Sequence, residues 1–233
     1  MRLKNLLFFT LIYFLSLTSV HSIEADVFVQ STVNRASKVL SENSSKDEKI
    51  AKLKSIAIET VDIKGIGFYT LGSARKNLNQ EQKQNYSKLF KEYFLKSFSS
   101  RLAEYTNPEI DVYDKEVLNE NYTIVNSLLK AKGDRPEIKI DWRIYTKNPE
   151  NPLVRDLIIE GLSLARTQKE EFASILNSNE NDINELFKVL ENFSKNWILY
   201  FFGGPARTRT WDQYIMSLLL QPTELQAQTL YLL

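Results

Sequence analysis

Residues 138–145 read Ile138-Lys139-Ile140-Asp141-Trp142-Arg143-Ile144-Tyr145. Ile138, Ile140, Trp142 and Ile144 alternate with Lys139, Asp141, Arg143 and Tyr145. A period of two is the side-chain period of a β-strand, so the stretch predicts one apolar and one solvated face. Gly133-Asp134-Arg135-Pro136 forms a turn before it, and Asn148-Pro149-Glu150-Asn151-Pro152 forms one after it. Strands are expected on either side, over residues 122–131 and 153–160. Ile110, Val112, Val117 and Leu118 begin an extended region upstream. Short turns between neighbouring strands imply an antiparallel meander of about four strands.

Helical spacing brackets this sheet. Residues 23–40 carry Val27, Val33, Ala36, Val39 and Leu40, and residues 47–58 carry Ile50, Leu53, Ile56 and Ala57. Asp62 is placed to cap a short helix reaching Leu71, with Gly72 where a left-handed residue is wanted. Asn79 and Gln82 have capping-box spacing at the start of the longest helix, expected to run to Tyr105. Tyr86, Phe90, Phe94, Phe98 and Leu102 recur on it every fourth residue, and Leu89, Tyr93 and Tyr105 widen the stripe. Further helices are expected at 164–176 and 181–193. Helices around one antiparallel sheet give an α+β domain with the helices on one sheet face.

The first residues supply Arg2 and Lys4, and a mostly apolar run from Leu6 to Val20 follows. This pattern predicts a secretory signal over residues 1–22 with cleavage before Ile23. About 210 residues then remain, enough for one domain over residues 23–196. The whole chain holds 30 basic and 29 acidic residues, and the mature chain loses Arg2 and Lys4, leaving it near neutral. No basic stripe points to nucleic acid. There is no cysteine, and the single histidine, His21, falls within the predicted signal. An exported chain with neither residue lacks the usual general base, the commonest metal ligand and the best thiol nucleophile. A bacterial periplasmic binding or carrier protein is favoured over an enzyme. Beyond Asn196 lysine disappears and no steady period persists, so residues 197–233 read as a disordered extension or as read-through.

No nucleophile elbow and no phosphate-binding loop are present. Asp156 and Glu160 share a strand face as a carboxylate pair would. A solvated face, or an ion pair with Arg143 or Lys139, is favoured for them and for Asp141. Two features stand out. One is the aromatic stripe, for which core packing is the simpler account. The other is Gly65 and Gly67 inside a short helix, where each costs about 1 kcal/mol relative to alanine. Either that helix is loosely formed or another backbone or a ligand chain comes close.

Three stretches carry a family resemblance. They are Val61-Asp62 with Gly65, Gly67, Leu71 and Gly72; the helix from Asn79 to Tyr105; and Leu157-Ile158-Ile159-Glu160-Gly161-Leu162-Ser163-Leu164 with Arg166-Thr167-Gln168 and Phe172-Ala173-Ser174-Ile175-Leu176 after it. In this order they resemble the MlaC, or toluene-tolerance, family, over residues 24–193. Leu153-Val154-Arg155 departs from the aromatic residue that many members carry, and the tail beyond Asn196 has no counterpart. The resemblance implies a curved sheet related to the nuclear-transport-factor-2 group, with an apolar cavity between sheet and helices. It implies a periplasmic carrier that shuttles diacyl phospholipid between an outer-membrane lipoprotein complex and an inner-membrane ABC transporter bearing an MCE domain. That traffic would maintain outer-membrane lipid asymmetry. A monomer without cofactor, metal or catalytic residues is expected. The cavity is expected against Gly67, Phe68, Leu71, Phe90, Phe94, Phe98, Val125, Leu129, Ile140, Trp142, Ile144, Leu157, Ile159 and Leu164, with the head group left in solvent. The competing expectation is an enzyme of the same fold, with an acidic base such as Asp141 or Asp156 acting on a small apolar substrate.

Overall fold

The structure, a computed structural model, describes residues 22–103, 105, 107–133 and 136–203, with residues 196–203 described by backbone alone. The predicted signal up to His21 and the tail after Gly203 lie outside the described residues. Among the described residues six α-helices and five strands follow in the order α1 (Ala25–Ser41), α2 (Lys46–Thr60), α3 (Ile63–Thr70), α4 (Gln80–Leu102), β1 (Ile110–Asn119), β2 (Tyr122–Leu129), β3 (Ile138–Tyr145), β4 (Leu153–Ile159), β5 (Leu162–Ser163), α5 (Leu164–Ser178) and α6 (Ile183–Gly203). The sheet runs β1-β2-β3-β4-β5, each neighbour antiparallel. The expected α+β class and meander are therefore present. Among the described residues no helix is long and apolar enough to cross a membrane.

The sheet has one strand more than expected. Glu160 and Gly161 have φ of 49° and 83°, and Ile159 pairs with Leu162 across them. A two-residue hairpin loop with both central residues at positive φ matches the twist of the strands. The chain thus turns back for two residues before Ser163 caps α5, its Oγ accepting from Arg166 N at 3.1 Å.

Helix starts follow the side chains that satisfy their free N–H groups. Asn79 and Gln82 close the expected capping box on α4. Ser45 and Glu48 close a second on α2. The long helix stops at Leu102, short of Tyr105, and spans 23 residues or about 35 Å. Helix α6 runs through Gly203, past the boundary expected at 196.

The α2–α3 corner explains the glycines. Asp62 Oδ1 accepts from Gly65 N at 2.8 Å, and its Oδ2 pairs with Arg155 Nη2 at 2.5 Å. Arg155 also lies 4.4 Å from the centre of the Tyr145 ring. A Cβ on Gly65 would stand 2.5 Å from Asp62 Oδ2 and 2.8 Å from Arg155 Cζ. One on Gly67 would stand 2.8 Å from the Phe90 ring. Both glycines therefore answer close approach by side chains, and α3 is well formed. Arg155 thus fastens α3 to the end of the sheet.

Packing separates the sheet into two regions. Ala25, Val29 and Val33 of α1 cover Val125, Ile144 and Val154. Leu129, Ile138, Ile140 and Ile159 form a second patch, with Trp142, Leu157 and Leu164 against it. A third cluster joins α3, α4, α5 and α6 through Ile66, Tyr86, Phe90, Phe172, Leu186 and Leu190. Tyr86 Oη donates to Gly67 O at 3.1 Å and lies 2.9 Å from Thr70 Oγ1, which locks α3 to α4. At the sheet edge, β1 carries bulges at Tyr113 and Leu118, both exposed. Gln30 Oε1 accepts from Val112 N at 3.2 Å, and Lys115 pairs with Glu24 and Asp26 of the α1 start at 2.7 Å each.

Gly67→Ala is expected to lower Tm by about 2–6 °C, because overpacking against Phe90 costs about 1–3 kcal/mol and outweighs the gain in helix propensity. Thermal unfolding followed by circular dichroism checks it.

Candidate functional site

Between the second sheet patch and the helices lies a cavity with about 210 Å³ for the centres of water-sized molecules. Leu129, Ile140, Trp142, Leu157 and Ile159 form its sheet wall, and Phe90, Phe94 and Phe98 of α4 face them. Successive rings of the α4 column have centroids 6.2 and 5.5 Å apart with interplanar angles of 29° and 12°. Val33, Ala36 and Leu40 of α1, with Leu53, Ile56 and Thr60 of α2, close one side. Leu164, Ala165 and Gln168 close the other.

The polar groups in this wall are mostly turned to one another. Trp142 Nε1 donates to Ser127 Oγ at 2.8 Å, and Ser127 Oγ donates to Ile140 O at 2.9 Å. The indole thus has its donor satisfied by the sheet and offers an apolar surface. Asp156 is 3 % exposed. It accepts from Ser163 Oγ at 2.6 Å, from Ala165 N at 2.9 Å and from Arg143 Nη1 at 3.3 Å. Burial raises its carboxyl above the usual range, and these three donors pull the other way. Its task is to fasten the start of α5 to β4. Asp141 pairs with Asn126 Nδ2 at 2.7 Å and Lys139 Nζ at 3.4 Å. Glu160 Oε1 accepts from Lys139 N.

A polar chain crosses from α4 to α5. Tyr93 Oη donates to Gln168 Oε1 at 2.8 Å, and Gln168 Nε2 donates to Glu171 Oε2 at 2.9 Å. Burial pushes the Tyr93 phenol up. Burial also pushes the Glu171 carboxyl up to about 7, with the Gln168 hydrogen bond opposing. Ser97 Oγ, buried in the cavity wall, has no hydrogen-bond partner among the described residues. Arg101, one helical turn further on, lines the cavity at 8 % exposure.

Nine of the fourteen residues expected around the cavity line it: Phe90, Phe94, Phe98, Leu129, Ile140, Trp142, Leu157, Ile159 and Leu164. The other five lie elsewhere. Val125 and Ile144 are covered by α1. Phe68 and Leu71 pack into the helical cluster, and Gly67 backs onto the Phe90 ring. The walls supplied by α1 and α2 were not anticipated. Their signal was present in Val33, Ala36, Leu40, Leu53 and Ile56, whose helical spacing marks a buried face without saying what it faces.

The family model described as MlaC protein matches residues 30–192. The intermembrane phospholipid transport system binding protein MlaC of Haemophilus influenzae is 25% identical over 143 residues, which cover 60% of this chain and 65% of that relative. The match thus spans slightly less than two thirds of the relative's length. A phospholipid-binding protein from Ralstonia solanacearum, solved in complex with a phospholipid, superposes with a TM-score of 0.64 at 19% identity. That alignment covers 74% of this chain and 98% of that structure, and it shows a shared fold.

Glu171 has a folded-state value near 7 against 4.5 ordinarily, so the fold favours its neutral form and stability falls as pH rises through that window. Glu171→Gln is expected to flatten the dependence there in chemical denaturation at a series of pH values. Ser97→Ala removes a buried hydroxyl without a partner and improves helix propensity, so ligand-free protein is expected to gain about 1 kcal/mol by the same measurement.

Proposed function

The chain belongs to the MlaC family, and from that premise we propose that it is a periplasmic phospholipid carrier. The acyl tails of one diacyl lipid fill the cavity between α4 and the sheet. The carrier moves its cargo between an outer-membrane lipoprotein complex and an inner-membrane ABC transporter with an MCE domain, and so maintains lipid asymmetry. It acts as a monomer and needs no cofactor. The observation that carries this reading is the apolar cavity walled by Phe90, Phe94, Phe98, Ile140 and Trp142 in a chain of this family. The complex of the Ralstonia protein with a phospholipid supports it.

The energetics suit such a role. Burying an acyl chain is worth about 0.8 kcal/mol per methylene against water, so about 30 methylenes amount to roughly 24 kcal/mol. That exceeds the ceiling of about 18–21 kcal/mol on non-covalent affinity, so spontaneous release into water would be very slow. Against a bilayer the tails exchange one apolar medium for another, and the balance is near zero. Exchange therefore requires contact with a membrane partner that offers the tails a continuous apolar path.

A reading as an acid–base enzyme needs a carboxylate available to substrate. Asp156 is held by Ser163, Ala165 and Arg143, and Asp141 by Asn126 and Lys139. Both carboxylates are engaged by these partners, which favours the carrier reading.

Native mass spectrometry of the purified mature protein is expected to find one diacyl phospholipid per chain. Protein that stays folded and empty after incubation with vesicles would contradict the carrier reading. Phe94→Asp is expected to abolish loading, because an unpaired carboxylate in an apolar wall is costly. The check is lipid extraction from a variant whose circular dichroism matches the parent.

A further inference from the structure

At the C-terminal end of α4 a second pocket, of about 150 Å³ in the same measure, adjoins the main cavity, and Tyr105, Pro108 and Leu129 line both. Asn107, Glu109, Lys130 and Lys132 form its outer part, and all four are exposed. The path changes from apolar to charged on passing from the main cavity into this pocket. Tyr93, Ser97 and Arg101 stand four residues apart, so they share one face of α4, and all three line the cavity beside the Phe column. The hydroxyl of Ser97 and the guanidinium of Arg101 are turned into the wall, so the cavity surface stays apolar up to Tyr105, Pro108 and Leu129. Beyond these comes the pocket with Lys130 and Lys132. The order along the path is apolar, then cationic.

That order matches a glycerophospholipid laid end to end, acyl chains first and phosphodiester last. We propose that the second pocket is a phosphodiester site, in which Lys130 and Lys132 donate to the phosphate oxygens of the carried lipid. The assignment rests on the reading of the main cavity as the tail site. It departs from the expectation that the head group goes unrecognised. Lys130 Nζ is 2.8 Å from Asp111 Oδ2 and 3.9 Å from Glu109 Oε2, and Lys132 Nζ donates to Asn107 O at 3.2 Å. Exposed pairs of this kind contribute little, so a phosphate can share these ammonium groups without large loss. The phosphate keeps one side in water, which avoids the cost of burying a full charge.

The test uses the mature chain stripped of lipid and then incubated with vesicles holding equal amounts of dioleoylphosphatidylglycerol and dioleoylglycerol, which share acyl chains and differ in the phosphodiester. Bound lipid is extracted and quantified by mass spectrometry. Lys130→Ala/Lys132→Ala is expected to lower the ratio of phosphatidylglycerol to diacylglycerol about tenfold or more, with the total bound unchanged. Lys188→Ala/Lys195→Ala on α6, outside both pockets, is expected to leave the ratio as in the parent. An unchanged ratio in the first variant, or an equal fall in the second, overturns the phosphodiester site alone. Failure of the parent to retain either lipid overturns the tail reading, and this site with it. A last arm titrates the stripped protein with inorganic phosphate. Saturable binding as tight as that of the lipid would make the pocket a site for free phosphate and overturn the assignment.

Discussion

A folded chain closes its gaps, because every unfilled contact in an interior forfeits dispersion and transfer energy. Here two apolar walls face each other across a space that neither fills. The structure keeps them apart by fastening each wall to something else. On the helical side, α4 is locked to α3 by Tyr86 against Gly67 and Thr70, to α5 by Phe90 against Phe172, and to α6 by Tyr93 against Phe193. On the sheet side, α1 occupies one end of the apolar face, and the buried carboxylate of Asp156 sets where α5 leaves β4. Collapse of the cavity would require breaking one of these attachments. The Phe94 and Phe98 rings already stack on each other and need no rotation to present a continuous apolar surface.

Much of this was legible in local chemistry. The four-residue recurrence of aromatics, the Asn79 and Gln82 cap and the alternation over residues 138–145 each rest on interactions within a few residues, and the helix and the strand they mark both formed, the helix ending three residues early. The fifth strand was missed because its signal is a pair of backbone angles at Glu160 and Gly161 rather than a run of apolar residues. The cavity wall was harder still. Ile140 and Ile144 lie on one strand face and look alike in sequence, yet α1 covers the second and leaves the first to the cavity. Which part of an apolar face is covered depends on where a helix more than a hundred residues away in sequence comes to rest. The same reasoning applies to Gly67, whose small size serves Phe90 rather than a ligand.

The carboxylates teach a related lesson. Asp156, Glu160 and Asp141 attract notice because paired acids on a strand can do chemistry. In the fold each is spent on architecture: one holds a helix start, one a hairpin, one a pair of neighbouring side chains. Glu171, which no spacing marked, is raised by burial to about 7, against the opposing pull of its hydrogen bond from Gln168. Perturbation followed burial and contact, which a linear reading sees poorly.

The outer edge of β1 has a consequence for how the protein survives in a crowded compartment. An exposed strand edge is a template on which another chain can add itself, the first step toward cross-β aggregation. The bulges at Tyr113 and Leu118 break the regular ladder in two places, and Gln30 occupies one of its free donors. Lys115, held between Glu24 and Asp26, sets a charge along the same edge. An incoming strand therefore finds neither a straight register nor an uncharged margin. A protein built around an oily interior can in this way meet other proteins repeatedly without being drawn into a shared sheet.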